Sequence, residues 1–92
     1  MAISITFRPT SMNLEQYNEI IKQLDAAGAG SPAGRQLHIC AGTGEKLTVV
    51  DIWESQEAFE AFSEYLMPIL DSVEIDPGIP AIAPVHNIIR GK

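Results

Sequence analysis

The residues best suited to acid–base chemistry in this 92-residue chain are one aspartate and two histidines, each placed among apolar residues. Asp51 interrupts the β-branched run from Leu47 to Trp53. A carboxylate among apolar groups is costly to bury unless it is paired or hydrogen-bonded. Asp51 is therefore a candidate catalytic base. The alternative is a structural role, in which its carboxylate pairs with Arg8, Arg35 or a backbone donor.

The two histidines, His38 and His86, lie in two different predicted strands and have apolar neighbours. His38 is a second candidate for the catalytic base, and His86 is a candidate ligand-binding residue. Structural or interface roles remain the alternative for both. A metal site needs about three converging ligands, and the sequence has no His/Asp/Glu triplet at ligand spacing. We therefore expect no metal.

Large side chains near these polar residues are candidate walls of a ligand cleft. Trp53 ends the strand that carries Asp51, and period two puts Val49 on the same face as both. The indole of Trp53 could stack on a flat aromatic ligand or belong to the core. Tyr17, on a predicted helix, could face the same cleft with its hydroxyl. Cys40 has no CxxC partner and is expected to be a buried, inert thiol.

Alternating and helical patterns predict the elements that would position these residues. Strands are predicted over 2–8, 36–41, 46–53 and 85–90. Asn13 and Gln16 form a capping-box pattern, so the first helix should run over about 14–26. Ser55 caps a second helix, with a kink or an early break expected at Pro68. The segment 76–84, with three prolines, is expected to be irregular.

The order β-α-β-β-α-β predicts an α+β ferredoxin-like fold. Both helices should cover one face of a four-stranded antiparallel sheet in the strand order 4-1-3-2. The opposite face carries Val50 and Ile52, or Ile88, rather than charges. We expect that face to be covered by a second copy of the chain.

Composition and charge narrow the class of protein. Hydrophobic residues make up 46% of the chain, a high share for one domain of 92 residues, which favours a homodimer. The net charge of −6 and the absence of a basic stripe argue against nucleic acid and anionic membranes as partners. One cysteine and no signal-peptide pattern predict a cytoplasmic protein that spans residues 1–92 as a single domain.

The element order, the length and the segment from Asp51 to Phe59 (Asp-Ile-Trp-Glu-Ser-Gln-Glu-Ala-Phe) resemble the dimeric α/β-barrel superfamily. The segment is most similar to small members related to antibiotic biosynthesis monooxygenases, where a Trp precedes Glu-Ser-x-Glu-Ala-Phe. This resemblance implies a homodimer with a cleft between sheet and helices in each protomer. Members often carry a substrate-contacting Asn before the Trp and a His in the second helix. Val49 and Phe62 stand in those regions here, and we count both as candidate ligand-binding residues.

Three functions are compatible with these features. The first is binding of a small apolar or aromatic molecule in the cleft, with cofactor-free, monooxygenase-like oxidation as the chemistry. Asp51 or His38 would be its base, and Trp53 and Tyr17 would be its walls. The second is a non-enzymatic ligand-binding or stress-type structural dimer. The third is a haem-handling protein of the same superfamily, which would need His38 or His86 as an axial ligand. No resident cofactor is expected for the first two.

Overall fold

The computed structural model describes residues 1–91. The elements follow the predicted β-α-β-β-α-β order, with two helices and four strands: β1 (Ile3–Phe7), α1 (Leu14–Ala26), β2 (Arg35–Ala41), β3 (Thr48–Trp53), α2 (Gln56–Ser72) and β4 (Ala81–Pro84). The strands form one antiparallel sheet in the order β2-β3-β1-β4. The α+β ferredoxin-like prediction is therefore confirmed, including the strand order.

Both helices begin at the residues expected from their capping patterns. The side chain of Asn13 accepts a hydrogen bond from the backbone of Gln16, whose side chain in turn accepts one from the backbone of Asn13. Ser55 accepts a hydrogen bond from the backbone N–H of Ala58. The helix α2 continues through Pro68 to Ser72, so the early break that we considered at Pro68 does not occur.

Strand pairing fixes which side chains face the helices. Asp51 on β3 pairs with Ile5 on one side and with His38 on the other. Val49, Asp51 and Trp53 share one face, as predicted, and the structure shows that this is the inner face. The core lies between this face and the helices, and Ile5 and Trp53 are its most deeply buried large side chains, with no exposed area.

The opposite, outer face of the sheet has a patch of four aliphatic side chains, Leu37, Ile39, Val50 and Ile52, which we call the outer patch. Leu37 pairs with Ile52 and Ile39 pairs with Val50 across the β2–β3 ladder. Leu37 and Ile39 are 42% and 45% exposed, respectively. The part of the chain described by the structure leaves this patch uncovered.

The last strand differs from the sequence prediction. It spans Ala81–Pro84, inside the segment predicted to be irregular, and residues 85–90, predicted as the strand, form no regular element. The sequence predicts an irregular segment here because prolines usually interrupt strands. However, within residues 1–91 β4 is an edge strand that pairs only with β1, and proline is tolerated on an edge strand because one side of its backbone needs no ladder partner.

Neither of the two helices in residues 1–91 has the length and apolar character needed to cross a membrane.

Candidate functional site

A cavity lies between the inner face of the sheet and the two helices, and its walls are mostly apolar. The centres of water-sized molecules can occupy about 60 Å³ of it. One water needs roughly 10–15 Å³ by this kind of measure, so the cavity suits a small ligand. Four polar side chains line it: Tyr17, Arg35, His38 and Asp51.

His38 and Asp51 form the first polar contact of the site. They are paired residues of neighbouring strands, and Nδ1 of His38 lies 2.5 Å from Oδ1 of Asp51. Asp51 is 3% exposed and is the only buried charged residue in the described chain. Its burial is therefore compensated by His38. The partners weighed from sequence, Arg8, Arg35 or a backbone donor, were the wrong ones.

Tyr17 extends this contact from the sheet to helix α1. Its hydroxyl oxygen lies 2.6 Å from Nε2 of His38. An ionised Asp51 carboxylate only accepts, so Nδ1 of His38 must carry the proton between them. In neutral His38, Nε2 then accepts from the Tyr17 hydroxyl. In protonated His38, Nε2–H donates to the Tyr17 oxygen instead, so both forms fit the same geometry.

Burial favours the neutral form of Tyr17. Removal from water raises the pKa of its phenol above the ordinary value of 10.0, and nearby Cys40 adds to this rise. The positive charge of Arg35 lowers the same pKa, and the negative charge of Asp51 raises it. The net shift is upward, so Tyr17 is a neutral phenol, able to donate a hydrogen bond, at neutral pH.

Arg35 reaches the cavity because the β2–β3 ladder is irregular at its start. Leu37 pairs with Ile52, whereas Arg35, two residues earlier, pairs with Trp53, only one residue later. This β-bulge turns Arg35 to the inner face while Leu37 stays on the outer face. From sequence, Arg35 was a candidate only as a partner of Asp51, and its position in the cavity was not predicted because the bulge has no sequence signature.

Trp53 is not a wall of the cavity. Its side chain is fully buried and packs against Phe59 and Phe62, with ring centroids 5.8 and 5.1 Å away. Within the described residues, its indole Nε1 has no hydrogen-bond partner. The expectation that Trp53 contacts the ligand is therefore corrected, because Phe62, and not Trp53, lines the cavity.

The remaining candidates separate into two groups. Val49 and Phe62 line the cavity beside the polar residues. His86 is exposed and lies beyond the end of β4, so it is not part of the site and its expected ligand-binding role is corrected.

Cys40 borders a shallow groove on the other side of Tyr17 and His38. It is half-buried, and burial raises the pKa of its thiol. This disfavours the reactive thiolate.

Metal-ligating residues do not converge within residues 1–91, where no three His, Cys, Asp or Glu side chains could hold a metal ion together. The polar side chains of the cavity instead form a series of proton donors and acceptors. Asp51 can hold the imidazole of His38 in one orientation, and His38 can exchange a proton with Tyr17.

Comparison with known proteins finds similarity in structure only. No protein-family model matches the sequence, and no curated protein matches it. A cofactor-independent oxygenase, SnoaB from Streptomyces nogalater, superposes with a TM-score of 0.71 at 10% identity, covering 98% of each chain. A proposed antibiotic biosynthesis monooxygenase from Chloroflexus aurantiacus superposes with a TM-score of 0.66 at 16% identity, covering 99% of this chain and all of the other.

A third structure, a proposed antibiotic biosynthesis monooxygenase from Deinococcus radiodurans, superposes with a TM-score of 0.61 at 12% identity, covering 100% of this chain and 99% of the other. At these identities the likeness concerns the fold. The chain therefore has the ferredoxin-like fold of antibiotic biosynthesis monooxygenase-like proteins, which confirms the resemblance seen in its sequence.

Proposed function

We propose that this chain is a monooxygenase-like enzyme that needs no cofactor and oxidises a small aromatic molecule in the cavity. The observation that carries this proposal is the series Asp51–His38–Tyr17, which lines an otherwise largely apolar cavity. Such oxidation needs a base that ionises the substrate in a site with little water. The fold shared with a cofactor-independent oxygenase supports the same reaction class.

The polar series can move a proton away from a bound substrate. The Tyr17 oxygen accepts a proton from the substrate while its own proton passes to Nε2 of His38. The imidazolium that forms is stabilised by Asp51, 2.5 Å from Nδ1. In this mechanism His38 is the base, Tyr17 conducts the proton, and Asp51 orients His38 and stabilises its charge, as the carboxylate does in hydrolase triads.

The substrate itself supplies the electrons for oxygen. An aromatic compound with an acidic methylene, such as an anthrone, loses a proton to form a carbanion that reacts with O₂. The resulting hydroperoxide loses water, so the methylene becomes a carbonyl, one oxygen atom stays in the product and the other leaves as H₂O. The substrate gives up four electrons and O₂ takes them, so no other reductant is needed.

We also propose that the protein acts as a homodimer joined through the outer patch. The patch is aliphatic and lies on a sheet face that neither helix of residues 1–91 covers. An uncovered apolar sheet face in a small, acidic protein favours association with a like surface. The dimeric superfamily resemblance of the sequence supports the same arrangement.

The test is oxygen uptake with an anthrone-type phenol by purified protein that has been freed of metals. Uptake above the uncatalysed rate, lost in His38→Asn and kept in His86→Asn, is the expected result. His86 is an exposed histidine outside the cavity, so its variant is the matched control. Equal uptake in the two variants, or none in the wild type, would contradict the enzyme proposal.

The result also separates the rival functions. Ligand binding without uptake would favour a non-enzymatic ligand-binding dimer. The haem-handling function is less well supported, because both ring nitrogens of His38 already contact a side chain. Its coordination to haem would require Tyr17 or Asp51 to give up that contact.

A further inference from the structure

Among residues 1–91, Arg35 is the one permanent positive charge that lines the cavity. Its guanidinium carbon lies 5.7 Å from the centroid of the Phe62 ring. One of its nitrogens, Nη2, donates to the carbonyl oxygen of Gly30 at 3.2 Å. A guanidinium has five N–H donors, so this contact leaves most of them free for another acceptor.

No carboxylate forms an ion pair with Arg35 in the part of the chain that the structure describes. The protein has 12 acidic residues and a net charge of −6, yet the one ion pair found within residues 1–91 joins His38 and Asp51. An unpaired, half-buried Arg35 in an acidic protein is unusual, because a charge taken partly out of water is normally paired. A bound anion would supply the missing partner.

The positive charge also acts at the place where proton transfer is proposed. Arg35 lowers the pKa of Tyr17, although burial outweighs this effect. The field of Arg35 therefore reaches the Tyr17 hydroxyl. An oxygen anion on a ligand beside Tyr17 would be stabilised by the same field.

The local backbone is built to hold Arg35 in this position. Gly34, immediately before it, has φ +89°, and a Cβ there would come within 2.7 Å of the Ala58 side chain. The carbonyl of Gly34 accepts a hydrogen bond from the backbone N–H of Glu54. This close contact with the start of α2 and the bulge that follows both orient Arg35 inward.

We infer that the cavity binds its ligand as an aromatic oxyanion, a phenolate or an enolate, with the negative oxygen on the Arg35 guanidinium. The inference deepens the proposed function, since it rests on the same cavity and names the ionised form of the substrate. The flat ring would occupy the apolar part near Val49 and Phe62. Arg35 would then favour substrates that ionise readily, and would stabilise the anion that forms when the Asp51–His38–Tyr17 series removes a proton.

The test uses 4-nitrophenol, a one-ring probe whose phenolate absorbs visible light and whose free pKa is near neutral. Binding to the wild-type protein should shift its ionisation to lower pH. Arg35→Met should abolish this shift and weaken phenolate binding by about tenfold or more, the effect of losing a hydrogen bond to a charged group. Arg35→Lys keeps the charge but not the planar fork and should retain part of the shift.

Two controls keep the result interpretable. Arg8→Met removes an equal charge from an exposed position outside the cavity and should leave the shift unchanged. The neutral analogue 4-nitroanisole should bind wild type and Arg35→Met alike, which would show that the cavity of the variant is intact. Binding of 4-nitrophenol in its neutral form, a shift that persists in Arg35→Met, or no binding of either probe would overturn the inference.

This measurement does not depend on turnover. Phenolate binding that needs Arg35, together with no oxygen uptake, would refute the oxygenase proposal and leave the anion site standing. Oxygen uptake that is unaffected in Arg35→Met, with no phenolate shift in the wild type, would refute the anion site and leave the oxygenase proposal standing.

Discussion

The hydroxyl of Tyr17 and Nε2 of His38 lie 2.6 Å apart, and the two rings are almost parallel, with an interplanar angle of 6°. Tyr17 belongs to α1 and His38 to the edge strand β2, so this contact joins a helix to the sheet across the cavity. Its two partners can exchange a proton without moving apart. Variants at either end therefore test both the chemistry and the packing.

Tyr17→Phe should keep the fold and abolish turnover, because it removes the hydroxyl that conducts the proton. Its second effect is spectroscopic. Since the pKa of Tyr17 is raised above 10.0, its phenolate absorbance near 295 nm should develop only above pH 10 in the folded protein. That late phase should be missing in Tyr17→Phe and present in Tyr65→Phe, which removes an exposed phenol.

The raised pKa of Tyr17 also predicts how the stability of the protein depends on pH. The folded state holds the Tyr17 proton more tightly than the unfolded state does. The contribution of protonated Tyr17 to the free energy of unfolding is therefore fully present below about pH 10, and it is lost as the pH rises through the raised pKa of the folded state. Denaturation midpoints of the wild type should fall more steeply than those of Tyr17→Phe above pH 10. Parallel curves would contradict the raised pKa.

Asp51→Asn should separate a catalytic from a purely structural role. The amide keeps the volume but replaces a charged acceptor for His38, so we expect a loss of about 1–3 kcal/mol in the free energy of unfolding. Turnover should fall by orders of magnitude, because the wrong tautomer of His38 becomes accessible. Chemical denaturation and oxygen uptake on the one variant measure both effects. A loss of stability with unchanged turnover would leave Asp51 a structural residue.

Trp53→Ala should damage the core rather than ligand binding alone. Trp53 is fully buried against Phe59 and Phe62, and truncating a buried Trp costs about 3–5 kcal/mol. The indole emission of the wild type should be blue-shifted and weakly quenched by acrylamide. Strong acrylamide quenching, or a variant as stable as the wild type, would contradict the core position.

The dimer proposal is tested by placing a charge in the outer patch. Ile39→Lys should convert the sedimenting species from a dimer to a monomer of about 10 kDa, since an unpaired charge is costly to bury at an interface. Met67→Lys, on α2 and 39% exposed, is the matched control and should remain dimeric. A wild-type protein that is already monomeric at micromolar concentration would rule out this interface.

The fold was predictable from local patterns because each pattern has a local physical cause. The Asn13 capping box begins α1 at the expected residue, and alternation correctly placed Asp51 on the same face as Val49 and Trp53. The position of β4 was not predictable in this way. Its one proline, Pro84, is tolerated because β4 is an edge strand whose only partner within residues 1–91 is β1, which is a property of the whole sheet.

The contact between His38 and Asp51 was not predicted because it depends on the register of β2 against β3. The predicted strands, 36–41 and 46–53, leave a turn over 42–45, which would pair residue 41 with residue 46 and residue 38 with residue 49. The structure instead pairs Ala41 with Thr48, and so places His38 opposite Asp51. The difference is two residues of turn length. Tyr17 joins the pair only through the docking of α1, which no local pattern contains.

The bulge between Arg35 and Leu37 places these two residues of one strand on different surfaces, the cavity and the outer patch. The extra residue, Gln36, offsets the alternation, so the strand begins in the cavity and continues with Leu37 and Ile39 in the outer patch. In a regular strand that kept Gln36, Arg35 would share the face of Leu37 and Ile39 and would lie beside the outer patch. The bulge therefore separates the charge that faces the cavity from the aliphatic side chains that follow it, so a substitution at Arg35 changes the cavity and leaves the outer patch intact.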